Sequence, residues 1–370
     1  MKIKIALAVV TSVLLVGCAS VQKSEDAAPR QKNTALTTTT IVPADKNMSY
    51  QDLSNRNFDG IDFRGVNFTG ANLFNTLFSN CDLRGANFTG VSAASARFFS
   101  KLTGANFTGA SAPNAKFDNA KNVNFYRANL SQADFISVEI TDANFTEAVL
   151  RGAKMIATWG TANFEKADMS QLNGDQFNSS RSNFKGTNFS NAGLSGANLS
   201  YSDLSGANFS RAILECLSSC YNPVTNLSNA KVVGTDFSNA FLKSAKIDGV
   251  DLTQAKLSNV RMSNMDLSNR NFMKMDLRDV DFRQSNLSGS NFQQADMRFA
   301  FLDESNLSSA NMTMTNLDNA NFNGAIMNDA KLPGASITGA DFRDITRKRT
   351  VWPKYCKPGN RKCATWDSYR

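Results

Sequence analysis

The chain has 370 residues, a formal net charge of +8 and no histidine. Without histidine, His-based catalytic triads, His-ligated zinc sites and His general bases are excluded. The positive charge is concentrated at the end, because residues 343–370 carry nine basic and two acidic side chains, whereas residues 47–342 sum to −2. No nucleophile elbow, phosphate loop or other catalytic motif occurs. We therefore expect a non-enzymatic protein with no catalytic residues, no metal and no cofactor.

Residues 1–17 have the pattern of the signal segment of an exported protein. Lys2 and Lys4 make a basic start, and the apolar stretch after them is too short to span a bilayer. The sequence Leu-Val-Gly-Cys at 15–18 resembles a bacterial lipobox, which implies cleavage just before Cys18 and acylation of its sulfur. The alternative is an ordinary secretory signal with a coincidental cysteine.

The lipobox resemblance also implies a location. Acylation of both the sulfur and the new amino terminus of Cys18 anchors a protein stably, since one chain alone binds only marginally. Ala19 stands where an Asp would be the usual signal for retention in the inner membrane. We expect a protein of the bacterial cell envelope, on the periplasmic side of the outer membrane if the organism is Gram-negative.

Residues 18–48 predict a lipidated, flexible linker. The segment is rich in Ala, Thr, Ser, Gln and Lys and shows no apolar periodicity, so it cannot bury a core. A flexible coil of about 30 residues would hold the rest of the chain on the order of 30 Å from the bilayer. Its predicted role is that of a tether.

From residue 49 to residue 342 a large apolar residue recurs every five positions, usually with a small residue two positions earlier. A period of five fits neither a helix, where successive positions drift around the axis, nor a continuous strand, where they alternate between faces. It fits an inward spacing of two and then three, in which a short extended segment is followed by a corner. Gly and Asn near the corners tolerate the turn conformations that this requires.

These repeats, such as Gly-Ala-Asn-Phe-Thr-Gly at 85–90 and 104–109, resemble those of the pentapeptide-repeat family. The resemblance implies an all-β fold, a right-handed quadrilateral β-helix (a solenoid) with four pentads in each coil. About 290 residues then make roughly 14 coils, which span on the order of 65–70 Å at a strand separation of ~4.8 Å.

Two arginines depart from the repeat, because Arg56 and Arg270 stand where the small inward residue is expected. The heptads at 52–58 and 266–272 that contain them are both DLSNRNF. One interpretation is that each heptad opens a helical unit, so that the second is a duplicated start. The other interpretation is chance similarity among near-identical repeats.

Larger residues crowd the small position in one further stretch. Met265, Met275 and Val280 do so together, which predicts a locally widened coil near 260–282. Interruptions of the five-residue period predict loops that bulge from the solenoid at 156–163, 170–183 and 215–226. Loops on a regular scaffold are where repeat proteins often make binding contacts.

The cysteines other than Cys18 fit an oxidising compartment. Cys81 falls on a small inward position, which predicts a buried free thiol that packs like Ala. Two close pairs predict local disulfides: Cys216 with Cys220, and Cys356 with Cys363. A zinc site shared by both pairs is disfavoured, because six coils, about 29 Å at the strand spacing, separate them.

Residues 343–370 form a basic and aromatic tail that contains the second predicted disulfide. Val351, Trp352 and Pro353 are predicted to cap the last coil, which would otherwise expose its core and unpaired strand edges. The basic residues exceed what a cap requires, and we expect them to contact an anionic envelope polymer or lipid head groups. The expected contact residues are Arg347, Lys348, Arg349, Lys354, Lys357, Arg361 and Lys362.

The sequence thus predicts a membrane-anchored, non-enzymatic binding or scaffolding protein of the bacterial cell envelope. Its partners would be the membrane and an envelope polymer or protein, with no nucleic acid, and its oligomeric state is open. An alternative implied by the family is a DNA mimic that protects topoisomerases, but that role needs a cytoplasmic location and an acidic surface. A third hypothesis is binding of a glycan or solid surface through flat ladders of Asn, Ser and Thr.

Overall fold

The computed structural model describes residues 42–215 and 224–354, all within one compact unit, Val42–Arg370. This part of the chain is all-β. Four short strands, β1 (Asn57–Asp59), β2 (Leu77–Asp82), β3 (Arg97–Lys101) and β4 (Lys116–Phe117), form a parallel sheet in the order β1-β2-β3-β4. Nearly all other pairing is through isolated parallel bridges. No helix that could cross a membrane is found among the described residues.

The bridges define a coil with four sides. Asn47 pairs with Asn67, Asp52 with Asn72, Asn57 with Leu77, and Asp62 with Asp82, so that the chain returns after 20 residues. We name the four sides after their first members: the Asn47, Asp52, Asn57 and Asp62 faces. The spacing confirms four pentads in each coil, which the sequence periodicity alone did not specify.

Most corners are tight turns closed by one main-chain hydrogen bond. At one of them the Ala71 N–H donates to the Phe68 carbonyl at 2.9 Å, and Gly70 between them has a φ of +65°. Most corners place Asn, Gln, Ser, Asp or a basic residue in this left-handed conformation, for example Asn55 with a φ of +57°. A positive φ at the third turn position is the type II pattern, which favours Gly and Asn.

The core is filled by two inward residues from each pentad, the large central residue and the small residue two positions before it, here called the slot residue. On the Asn47 face the central residues stack as Phe68, Phe88 and Phe107, with ring centroids 4.9 and 4.5 Å apart. A second stack on the Asn57 face includes Phe78 and Phe98 and meets the first edge-on. Aromatic pairs at these distances stabilise a fold beyond the area that they bury.

Most buried Ser and Thr residues in slots satisfy their hydroxyl groups in the same way. Thr76 Oγ1 donates to the Leu53 carbonyl at 2.9 Å, and Thr187 Oγ1 donates to the Phe164 carbonyl at 2.7 Å, each 23 residues earlier. Slot side chains therefore lie against the preceding coil. A buried hydroxyl without such a partner would destabilise the fold.

The prediction of bulging loops at 156–163 and 170–183 is wrong. The first segment is one residue short: Asn144 pairs with Asn163, and Gly160 at φ +124° makes the tighter corner. The second is fully regular, but slot and centre are exchanged, since Phe177 fills the slot and Ser179 the centre, both buried. The period seemed broken because the large residue had moved by two positions.

The third predicted interruption is an insertion. Asn198 pairs with Asn226, so this coil is eight residues longer than the regular 20. Residues 216–223, with Cys216 and Cys220, lie outside the described residues. Thr225 resumes the slot pattern, because its hydroxyl donates to the Leu194 carbonyl at 2.9 Å.

At one step between two coils, three of the four faces lose their bridges together. Among the described residues, no bridge joins Lys246 to Asp266, Asp251 to Asn271, or Lys256 to Asp276, although each pair is 20 residues apart. Only the Asn57 face continues, through Phe241, Arg261 and Asp281. We call the boundary between residues 243–262 and 263–282 the seam. The stretch near 260–282, where the sequence predicts a widened coil, is thus the place where pairing to the preceding coil is lost.

Candidate binding surface

The last described coil extends the ladder to Val351. The Val351 N–H donates to the Ala330 carbonyl at 2.8 Å, and the Leu332 N–H donates to the Val351 carbonyl at 2.7 Å. The Val351 side chain is exposed, whereas Pro353 is buried. Trp352 lies edge-on to Phe342, with ring centroids 5.2 Å apart. The indole therefore contacts the end of the aromatic stack.

Basic side chains surround this end of the solenoid. Arg347, Lys348, Arg349 and Lys354 are all exposed. Arg349 donates from Nε and Nη2 to both carboxylate oxygens of Asp329, and this hydrogen bonding holds the pKa of Asp329 below its usual value. Ion pairs this exposed contribute little stability. The surface is nevertheless fixed in position by the coil beneath it.

Several predicted site residues lie outside the described residues. These are Cys18, Cys216, Cys220, Cys356, Lys357, Arg361, Lys362 and Cys363. The predicted lipidation, both disulfides and the distal half of the basic cluster therefore stay predictions.

Six acidic residues on the faces are each neutralised by an arginine two positions along. Arg64 binds Asp62 through Nη2 at 2.6 Å, and Arg278 binds Asp276 at 2.7 Å. The same Asp-x-Arg pairing recurs at Asp82, Asp281, Asp296 and Asp341. The guanidinium bonds lower the pKa of the Asp276 carboxyl, so that these pairs stay ionised and mutually neutralised.

Cys81 is a buried free thiol, as predicted. Its backbone N–H donates to Ser100 Oγ at 3.2 Å, and the Ser100 N–H donates to Asp118 Oδ1 at 3.1 Å. These residues border a depression of about 450 Å³. Burial raises the pKa of the Cys81 thiol, so it is a poor nucleophile. The signal for this depression is the four-residue spacing from Phe98 to Leu102, which sequence reasoning overlooked.

The part of the chain that the structure describes contains no candidate metal site. Within residues 42–215 and 224–354, no group of three or more Cys, Asp or Glu side chains could hold a metal ion. The fold defines a four-sided β-solenoid made of pentad repeats.

The chain belongs to the pentapeptide-repeat family. The family model of pentapeptide repeats matches 47–90, 67–98, 119–152, 180–215, 276–313 and 305–344, together more than half of the chain. A second model, described as a pentapeptide repeat region, matches residues 218–292 across the seam. Proteins of this family are generally non-catalytic structural or binding proteins, and no enzyme family matches. No curated protein matches the chain significantly in sequence.

Solved structures of the same family are similar to this chain. HetL, involved in heterocyst differentiation regulation in the cyanobacterium Nostoc sp. Strain PCC 7120, is 21% identical over 70% of this chain and 90% of its own, with a TM-score of 0.32. QnrB1, a plasmid-mediated fluoroquinolone resistance protein, is 21% identical over 60% and 90%, with a TM-score of 0.29. Rfr23 from the cyanobacterium Cyanothece 51142 is 21% identical over 43% and 90%, with a TM-score of 0.16. At these scores the similarities carry no argument about function.

Proposed function

We propose that this is a membrane-anchored, non-enzymatic binding or scaffolding protein of the bacterial cell envelope. The lipobox-like sequence at 15–18 behind a basic and apolar signal segment carries the proposal. It implies that Cys18 is acylated and tethered through residues 18–48. The solenoid then serves as a polar surface presented near the membrane.

The alternative, a DNA mimic that protects topoisomerases, is disfavoured by the surface charges. Such a mimic must present an unbroken acidic strip in place of the phosphate backbone. Here the Asp-x-Arg pairs, such as Asp62 with Arg64 and Asp296 with Arg298, neutralise acidic side chains on the faces. The body from 47 to 342 sums to only −2.

The anchor is tested by the mass of the mature amino terminus and by cell fractionation, comparing the wild type with Cys18→Ala. We expect an acylated Cys18 in the outer-membrane fraction and loss of both acylation and membrane association in the variant. An unmodified, soluble cytoplasmic protein would contradict the proposal and favour the topoisomerase alternative.

We further propose that the last coil and the tail form the partner contact. Trp352 and Pro353 would cap the core, and the exposed basic side chains would attract anionic lipid head groups or an anionic envelope polymer. Charge attraction of this kind weakens with salt, since the Debye length is about 10 Å at 0.1 M.

The contact is tested by sedimentation with vesicles that contain phosphatidylglycerol and with isolated envelope material, at low and high salt. The double variant Lys348→Glu and Lys354→Glu should bind less than wild type at low salt. The matched control, Lys166→Glu with Lys243→Glu, changes the same charge at exposed lysines elsewhere and should bind as wild type does. An equal loss of binding in both variants would show that only the total charge of the protein matters, and it would contradict a specific contact surface at this end of the solenoid.

A further inference from the structure

We propose that the seam is a latched hinge. The C-terminal block, residues 263–354, turns about the continuous Asn57 face, and the guanidinium of Arg270 holds it against the block that precedes it.

The hinge follows from the pairing on the four faces. Across the seam the Asn57 face keeps its main-chain bonds: Met262 N–H to the Asp281 carbonyl and Asp281 N–H to the Val260 carbonyl, both at 2.9 Å. The corner that leads into this face is also bonded, since the Asn259 N–H donates to the Arg278 carbonyl at 2.8 Å. Among the described residues, no other main-chain bond joins residues 243–262 to residues 263–282. One paired face fixes the separation along its own side and leaves the angle between the blocks free.

The opened faces are partly accessible to solvent. A cleft of about 430 Å³ lies on the Asp52 face between residues 253–258 and 273–276. Slot residues beside the seam retain some exposure, 8% for Ala255 and 7% for Met275, whereas most slot residues elsewhere are at 0 or 1%. Unpaired, solvent-exposed backbone and thin packing are the features of segments that open at low free-energy cost.

Arg270 bridges the seam on the Asn47 face. Its Nη1 donates to the Val250 carbonyl at 2.7 Å, and its Nη2 donates to the Ile247 carbonyl at 3.0 Å. In the next coil the corresponding bond is a main-chain bond, in which the Asn291 N–H donates to the carbonyl of Arg270 at 2.9 Å. The side chain thus replaces the missing main-chain bond of Asn271.

The second bond replaces a slot hydroxyl. Arg270 and Ile247 are 23 residues apart, the same separation at which Ser290 Oγ donates to the Leu267 carbonyl at 2.7 Å. A long, charged donor can make both bonds across a wider gap than a hydroxyl and an amide can span. Both are bonds from a charged donor, which are the stronger class.

The coil above the seam keeps the features of a first coil. Its slots hold Met265, Arg270, Met275 and Val280 in place of small residues. The first described coil contains the same heptad, and there Arg56 occupies the slot and is exposed, since no coil among the described residues precedes it. Large slot residues fit a coil that has no closely stacked neighbour on its N-terminal side. This observation favours the duplicated start over chance similarity.

The latch is tested by hydrogen exchange of the full chain. Arg270→Ala should speed exchange of the seam segments 247–258 and 266–276 by about tenfold or more, a factor equivalent to ~1.4 kcal/mol. Arg270→Lys, which keeps the charge and loses the two-pronged geometry, should give a smaller increase. The matched control is Arg56→Ala, which removes the same residue from the identical heptad and should leave the seam unchanged.

The hinge is tested in the wild-type background with spin labels on noncanonical residues, which leave the native cysteines in place. One pair, at Gln254 and Lys274, spans the seam; the control pair, at Gln294 and Met314, lies at the same corner in an unbroken ladder. The dipolar broadening should show a wider distance distribution for the seam pair. Equal, narrow distributions in the two pairs would overturn the hinge. Unchanged seam exchange in Arg270→Ala would overturn the latch.

Discussion

The coils between Phe58 and Phe164 and the coil above the seam are built from the same pentad, yet the former pair with the preceding coil on at least three faces and the latter on one. In the former the slots hold mostly Ala, for example Ala86 and Ala128, and the main-chain bonds cross on the regular faces. Above the seam the slots hold Met, Arg and Val, and three faces lose their bonds. The three faces that lose their bonds are those where Met265, Arg270 or Met275 fills the slot beside a large central residue. Since slot side chains lie against the preceding coil, we infer that slot and centre together set how closely two coils approach, and that Phe177 is accommodated in its slot because Ser179 fills the centre.

The largest effect is expected from the aromatic stack. Phe98 is flanked by Phe78 and Phe117 at 5.4 and 5.1 Å, so Phe98→Ala should cost about 3–5 kcal/mol in the free energy of unfolding, measured by urea denaturation. Leu252→Ala beside the seam should cost only about 2 kcal/mol, because Leu252 retains 5% exposure and lies beside the faces that have lost their pairing. An equal cost at both sites would contradict the difference in packing.

Filling a slot should reproduce the seam in a regular region. Ala86→Met should cost about 1–3 kcal/mol through overpacking. It should also deprotect the amides of Phe68 and Asn87, which now donate to carbonyls at 2.7 and 2.9 Å. Ala86→Ser is the control, because a small slot residue should leave the hydrogen exchange of both amides unchanged. If both amides stay protected in Ala86→Met, a large slot residue is not what prevents the main-chain bonds between coils.

A smaller loss is expected where a slot hydroxyl is removed. Thr187→Val keeps the shape of the side chain but deletes the 2.7 Å bond to the Phe164 carbonyl, at a cost of about 1 kcal/mol in urea denaturation. Thr146→Val, which removes a hydroxyl bonded to Asn144 on the surface, should change stability by less than about 0.5 kcal/mol. If the surface variant loses more, the hydroxyls in slots are not what holds the coils.

The smallest effects are electrostatic, and two aspartates should respond with opposite sign. Burial raises the pKa of Asp118, so ionisation of its carboxyl opposes folding above that raised value. Asp118→Asn should therefore raise the urea midpoint near pH 7. The variant should lose this advantage as the pH falls and the wild-type carboxyl is protonated. The guanidinium of Arg298 lowers the pKa of Asp296, so its ionised form stabilises the fold above its unfolded pKa, and this is lost as the pH falls through the lowered value. Asp296→Asn should therefore lower the midpoint near pH 7. Both effects are small because solvent screens partly exposed charges.

Sequence reasoning succeeded wherever each residue acted within its own pentad. The inward positions, the corner glycines and the buried Cys81 all follow from a two-plus-three spacing. It failed at 170–183, where Leu172 fills a slot and Gly174 the centre that follows it. A Cβ on that glycine would lie 2.9 Å from Leu194 of the next coil. The exchange of large and small residues there is visible only when the neighbouring coil is present. The basic tail and Cys18 were identified from composition and spacing, and their function is still a proposal.

The sequence by itself determined the all-β repeat, the inward residues and the corners, because a period of five and the turn preferences of Gly and Asn act over a few neighbouring residues. It also marked Arg270 and its coil as exceptions. Only the tertiary structure decided the four-sided coil, the continuous Asn57 face and the seam. Those features depend on hydrogen bonds between residues about 20 positions apart, and whether such bonds form is decided by the volume of side chains contributed by two different coils.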